Sequence, residues 1–273
     1  MPNSALDEVG LWTEMKLDII RDYSAAYSKI LSKQGTKIRH FAYIDGFAGP
    51  GHHVSRATKK VIEGSPAIAL GQRFDHYHFI DLDGEMTSLL TNLSGARTNV
   101  TIYTGDCNNV LLQDVFPQCR YEDRRRALCL LDPYDLNPSW EVVRTAAAMG
   151  SIEVVVNFMI MHANRDVLLK TGWENSKPAE IAKMDAFWGD ESWREAAYRT
   201  EHDLFGEVRK KTRNEDLAEA YRSRLMDVAG FKYVTEPLPM RNSKGNIMYY
   251  LYFAGPNEVG YRIATSIFDK RRV

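Results

Sequence analysis

The stretch Phe41-Ala-Tyr-Ile-Asp45-Gly-Phe-Ala-Gly-Pro-Gly51 sets the frame for the rest of the chain. An unbroken apolar run reads as a strand buried on both faces, and a carboxylate and a glycine-rich turn follow it at once. Glycines in such a turn tolerate positive φ and let a ligand approach the backbone. No Gly-Lys-Ser/Thr follows, so this is not the phosphate loop of a nucleotidase. Further apolar runs end in the same way: Tyr77–Ile80 before Asp81 and Asp83, Val100–Tyr103 before Asp106, and Ala127–Leu131 before Asp132. Ile152–Phe158 is a fifth run, ending near Asn157.

Upstream, Ile19, Ile20, Tyr23, Tyr27, Ile30 and Leu31 recur at helical steps within Glu14–Gln34, and Gly35 gives a stop. Helix-compatible stretches separate the strands: Ser65–Phe74, Gly84–Leu93, Asn108–Val115 and Ser139–Ala148. Strands alternating with helices give an α/β fold with a parallel sheet covered on both faces. Ligands of such sheets bind outside the carboxyl ends of the strands, where these acids gather. Near the end, Tyr233–Met240 and Ile247–Phe253 flank the turn-rich link Arg241–Asn246 and predict an antiparallel hairpin. Five parallel strands and a reversed last strand make the Rossmann-like class I fold of S-adenosylmethionine-dependent methyltransferases. The expected layout is one domain over residues 1–273. Residues 162–228, helical and charged with Trp173, Trp188 and Trp193, read as an insertion beside the active-site edge.

The candidate cofactor residues follow from these strand ends. Asp45, Gly46, Phe47 and Gly49 form the turn, with Asp45 suited to the methionine amino group of S-adenosylmethionine. Asp83 is the first choice for the ribose hydroxyls and Asp81 the second, although NAD would use an acid at the same place. Asp106 suits the adenine amino group, and Cys107 adjoins it, with packing as its simplest role. Asp132-Pro133-Tyr134 are the candidate catalytic residues. Enzymes that methylate the amino groups of adenine or cytosine carry Asp/Asn-Pro-Pro-Tyr at the end of the fourth strand. There the acid orients the amine and the aromatic ring stacks on the flipped base. Here one proline is missing, which brings Tyr134 a residue closer.

Other features carry less. His52-His53 and Arg56, Lys59 and Lys60 form a basic loop able to grip phosphates, or simply a solvated one. Arg124-Arg125-Arg126 precedes the fourth strand and so sits at the opposite edge, and Arg165, just past the fifth, could reach substrate. No acid or Cys spacing around the histidines suggests a metal site.

The motifs Tyr43–Gly51, Gly64-Ser-Pro66, Gly105-Asp-Cys-Asn108, Leu131-Asp-Pro-Tyr134 and Asn157-Phe158, taken in order, resemble the three-Cys-motif partner proteins. The resemblance runs from the first helix to Tyr249-Tyr-Leu-Tyr252. It implies a methyltransferase-like Rossmann fold and a functional pairing with a radical-SAM-like protein that carries the three cysteines. Asp135 stands where the family pattern has glycine, which alters the turn entering the substrate pocket.

Composition removes several classes. Net charge is −1, from 35 basic and 36 acidic residues, so nucleic acid would have to be held by local patches. Three cysteines without a C-x-x-C pair give no disulfide scaffold. No apolar run approaches the length of a bilayer crossing, and the first ten residues lack the pattern of a leader, so a cytoplasmic protein is expected. The expectation is therefore a methyltransferase using S-adenosylmethionine on a DNA or RNA base. A catalytically silent module serving the three-Cys-motif protein, and a metal-dependent nuclease built on the strand-end acids, are the alternatives.

Overall fold

In the strand His40–Asp45 the side chains alternate between two cores. Phe41 and Tyr43 share one with the first long helix, Leu11–Leu31, while Ala42 and Ile44 belong to the other. The computed structural model describes residues 6–203 and 206–272. Residues 1–5, half of the stretch read for a leader, and two residues of the proposed insertion lie outside the described residues. The strands of the central sheet are β1 (His40–Asp45), β2 (His76–Asp81), β3 (Val100–Thr104), β4 (Arg125–Leu131), β5 (Ile152–Phe158), β6 (Tyr233–Val234), β7 (Leu238–Arg241) and β8 (Ile247–Gly255).

Their order is β3-β2-β1-β4-β5-β8-β6, with β7 also pairing to β8. The first five are parallel, and β8 runs antiparallel to β5, with Tyr250 opposite Phe158. This is the Rossmann-like fold of class I methyltransferases. Because the middle of the sheet is covered on both sides, β1, β4 and β5 are almost continuously apolar, whereas β2, with His76 and His78, and the edge strand β3, with Thr101 and Thr104, alternate.

One face packs against Leu11–Leu31 and the last helix, Glu258–Asp269. The other packs against Trp140–Met149, Pro178–Trp188 and Asn214–Asp227. Residues 162–228 therefore supply part of the core of that face. Phe187, Trp188, Trp193 and Tyr221 are all buried there, and Phe187 stacks on Tyr221 with ring centroids 4.9 Å apart. The segment is not wholly helical: Tyr198–Asp203 and Gly206–Lys211 form an antiparallel hairpin.

Two local departures have visible causes. The expected single strand Tyr233–Met240 is split into β6 and β7. At the break Thr235 donates its N–H to the Phe253 carbonyl (3.0 Å), and its hydroxyl accepts the Phe253 N–H (3.0 Å). Pro237 has no N–H to continue the ladder. The expected basic loop is instead a hairpin of His52–Ser55 and Val61–Glu63, joined by Glu8–Val9 in a small three-stranded sheet. Its Lys59 pairs with Glu8 at 2.8 Å, so that cation is already engaged. Among the described residues no helix is long and apolar enough to cross a membrane.

A buried acid ties the first face together. Glu153 on β5 accepts a hydrogen bond from the Tyr23 hydroxyl at 2.6 Å and another from the Asn257 side chain, which also caps the last helix. Burial pushes its carboxyl up to about 7, against hydrogen bonds that pull it down. The folded state thus holds a proton that the unfolded chain has released, so this contribution is full below the unfolded value of 4.5 and is lost as pH rises through about 7. The loss is on the order of 3 kcal/mol at ~1.4 kcal/mol per pH unit. Glu153→Gln keeps an acceptor for Tyr23 and carries no charge. It is expected to flatten the fall in stability between about pH 5 and about pH 8, as read by urea unfolding at both values. Asp45, equally enclosed, shifts the same way and leaves a residual slope of the same sign.

Candidate active site

β1 delivers the chain to the sheet edge at Asp45, and the following turn is laced to its neighbours. Gly46 donates to the Leu130 carbonyl and Ala48 to that of Ile80, both at 2.9 Å. A Cβ on Gly46 would stand 2.9 Å from the Cys107 sulfur and 3.1 Å from Leu131, so only glycine fits. Gly49 has φ +61° with open space around it, and its N–H reaches Asp81 at 2.8 Å. Asp45 itself is fully buried beneath the turn. It accepts from Phe47 N–H (3.4 Å) and the Tyr43 hydroxyl (3.5 Å), and burial pushes its carboxyl up to about 7, against the pull of the Ser65 hydroxyl. It supports the turn from below and does not stand on an open wall, which departs from a direct grip on a ligand amine.

The next acids fall into two kinds. Asp81 ends β2, and one of its oxygens takes Gly49 N–H while the other takes Asp83 N–H at 2.9 Å. Asp83 and Asp106 are helix N-caps, accepting from Glu85 N–H (2.7 Å) and Asn109 N–H (3.0 Å). Such caps stabilise a helix by about 1 kcal/mol. Asp81, half-buried where β2 meets the glycine turn, is thus better placed for a ligand than Asp83. Cys107 is buried under Gly46, and burial pushes its thiol well up, so it packs and does not supply a thiolate.

At the end of β4, Asp132 is held by two side chains: the Lys16 ammonium from the first helix and the Asn157 amide from the end of β5. Beside it Pro133 and Tyr134 line a cleft, and Tyr134 is 70% exposed. The Phe47-Ala48-Gly49 turn, Trp12, Lys16 and Tyr249 of β8 line it as well, and the Tyr249 hydroxyl donates to the Trp12 carbonyl at 3.4 Å. His53 also lines the cavity, and burial, with Lys16 nearby, lowers its pKa and keeps it neutral. Asp135 binds Lys183 at 2.7 Å, which ties the strand-four turn to the helix Pro178–Trp188.

Lys16 and Trp12 were not singled out from the sequence, and Ser65 and Tyr249 entered only within longer stretches, those that carry the family resemblance included. A signal was present: Lys16 falls on the same helical stripe as Ile20, Tyr23 and Tyr27, where a solvated lysine has no place. Arg124 and Arg126 lie at the opposite edge, the first bonded to the Thr36 carbonyl and the second over the Tyr121 ring. Arg165 is paired to Asp166 at 2.7 Å. Among the described residues no group of three His, Cys, Asp or Glu side chains could hold a metal ion.

No family model matches this chain, and no curated protein sequence matches it. Its fold is similar to that of protein LPL1258 from Legionella pneumophila, at 11% identity over 94% of this chain and 92% of that one, with a TM-score of 0.45. It is also similar to magnesium protoporphyrin IX methyltransferase (ChlM) from Synechocystis PCC 6803, solved with bound SAM, at 10% identity over 91% and 85% of the chains, with a TM-score of 0.35. At these identities the likeness concerns the fold alone. The chemistry has to be read from the residues of the site.

Proposed function

We propose that this chain is an S-adenosylmethionine-dependent methyltransferase that acts on the amino group of a nucleic-acid base. One observation carries the reading: a single cavity is lined both by the glycine turn of β1 and by Asp132-Pro133-Tyr134. The donor set fits the cofactor. Gly49, at positive φ with room beside it, permits close backbone approach, and Asp81 and Asp106 stand along the same edge as acceptors for the ribose hydroxyls and the adenine amine. When bound, the cofactor supplies a methyl group activated on a positively charged sulfur.

The remaining work belongs to the protein. Tyr134 offers an exposed ring face for a base to stack on. The Asn157 side-chain oxygen is buried next to Asp132 with no hydrogen-bond partner, and an incoming amine would satisfy it. Asp132 and Asn157 would then turn the nitrogen lone pair toward the methyl group, and holding that alignment is most of what such a transfer requires. The pairing with a radical-SAM-like three-Cys-motif protein, implied by the motif resemblance, belongs to the same proposal.

Calorimetric titration with S-adenosylmethionine and S-adenosylhomocysteine is the test, with micromolar binding of both expected. No binding of either at millimolar concentration ends the reading. A second reading draws on the Lys16 contact, which leaves Asp132 engaged. In it the chain is a silent module docking the three-Cys-motif protein, and it predicts co-purification with that protein and no binding of either ligand.

A further inference from the structure

We propose that Lys16 is the subsite for the carboxylate at the amino-acid end of the methyl donor, and that taking up this carboxylate loosens Lys16 from Asp132 and frees Asp132 for the acceptor. The inference rests on the methyltransferase reading above. It begins from a cost: Lys16 is 7% exposed in the middle of a helix, and an ammonium in such a place needs a compensating anion. Asp132 is that anion in the structure, yet it is also the acid the acceptor requires. With Lys16 on one Asp132 oxygen and Asn157 on the other, an acceptor amine has to share an oxygen unless a second anion draws Lys16 away.

The surroundings say which anion. Among the described residues that line the cavity, Lys16 is the sole fixed cation and Asp132 the sole acid, because burial and Lys16 itself keep His53 neutral. Lys16 shares this space with the glycine turn and the Ser65 hydroxyl, on the side where the donor would lie. A carboxylate brought there meets one full positive charge, that of Lys16. The ammonium has three N–H groups and can pass from one carboxylate to the other without ever being unpaired. The Tyr249 ring, 5.6 Å from the Lys16 nitrogen, continues to stabilise the charge during that exchange. Asp132 keeps its bond from Asn157 and so stays in position when Lys16 leaves it. The donor is thereby bound before the acceptor, and the site does not present a competent Asp132 until the donor is in place.

The experiment compares S-adenosylhomocysteine with 5′-methylthioadenosine, the same thioether nucleoside without the amino-acid end, by calorimetry. Lys16→Met is expected to weaken S-adenosylhomocysteine by roughly tenfold or more, the scale of a lost charge-assisted hydrogen bond, and to leave 5′-methylthioadenosine within about twofold. Asp132→Asn, which removes the competing carboxylate, should tighten S-adenosylhomocysteine. Equal effects on both ligands in Lys16→Met, or no tightening in Asp132→Asn, overturn the proposal. The paired variant Lys16→Met/Asp132→Asn has no unbalanced buried charge and serves if Lys16→Met alone does not fold. Wild-type protein that binds 5′-methylthioadenosine but gains nothing from the amino-acid end overturns the Lys16 subsite alone. Wild-type protein that binds neither ligand overturns the methyltransferase reading itself.

Discussion

Asp132→Ala is expected to lower the free energy of unfolding by about 3 kcal/mol, because it strands the Lys16 ammonium in a nearly buried position without a counter-charge. The relevant quantity is this asymmetry, not the strength of the ion pair. An intact buried pair contributes little net stability, since both charges have lost their water, but half a pair is costly. Removing both charges in Lys16→Met/Asp132→Asn should therefore recover most of the loss. Urea unfolding of the two variants beside wild type measures it. A change within about 0.5 kcal/mol in Asp132→Ala would mean that water reaches Lys16 and that the two residues are not coupled.

Trp188→Ala should cost still more, about 4 kcal/mol, as large-to-small changes of fully buried aromatics do. Trp188 is 2% exposed, packs against Phe158 of β5 and Tyr221 of Asn214–Asp227, and donates its indole N–H to Ser192 at 3.0 Å. Its removal opens a cavity on the face of the sheet that residues 162–228 cover. The exposed Leu82, with 76% of its surface free, is the control, and Leu82→Ala should change stability by less than about 0.5 kcal/mol. A cost for Trp188→Ala as small as the Leu82 control would show that this segment rides on the sheet without sharing its core.

The five parallel strands were legible because strands covered on both faces are mostly apolar, and such runs stand out beside the polar turns after them. The reversed β8 was legible from Tyr249–Tyr252 and the Asn- and Gly-rich link before it. Less visible were features set by partners distant in sequence. Lys16 meets Asp132 across 116 positions, and nothing local to either residue announces the other. The split between β6 and β7 depends on Thr235 bonding to Phe253 through both its backbone and its hydroxyl. The hairpin His52–Glu63 looked like a basic loop because its order depends on Glu8–Val9 pairing alongside.

The acids illustrate a different confusion. Asp83 and Asp106 stand where a ligand carboxylate would, but each also opens a helix, and an aspartate at that position is held first by the backbone N–H groups it caps. The sequence shows five aspartates at four strand ends. The structure divides them into a buried support at Asp45, a bridging acceptor at Asp81, two caps, and the paired Asp132. Position at the edge could be read from the chain; the difference in role required the neighbours.

A crystal structure with S-adenosylhomocysteine tests the central claim most directly. The account predicts the ligand's sulfur in the cavity between Phe47-Ala48-Gly49 and Asp132-Pro133-Tyr134, its nucleoside running toward Asp81 and its carboxylate on Lys16. A ligand found elsewhere on the molecule, with Lys16 and Asp132 still closed on each other, would contradict it.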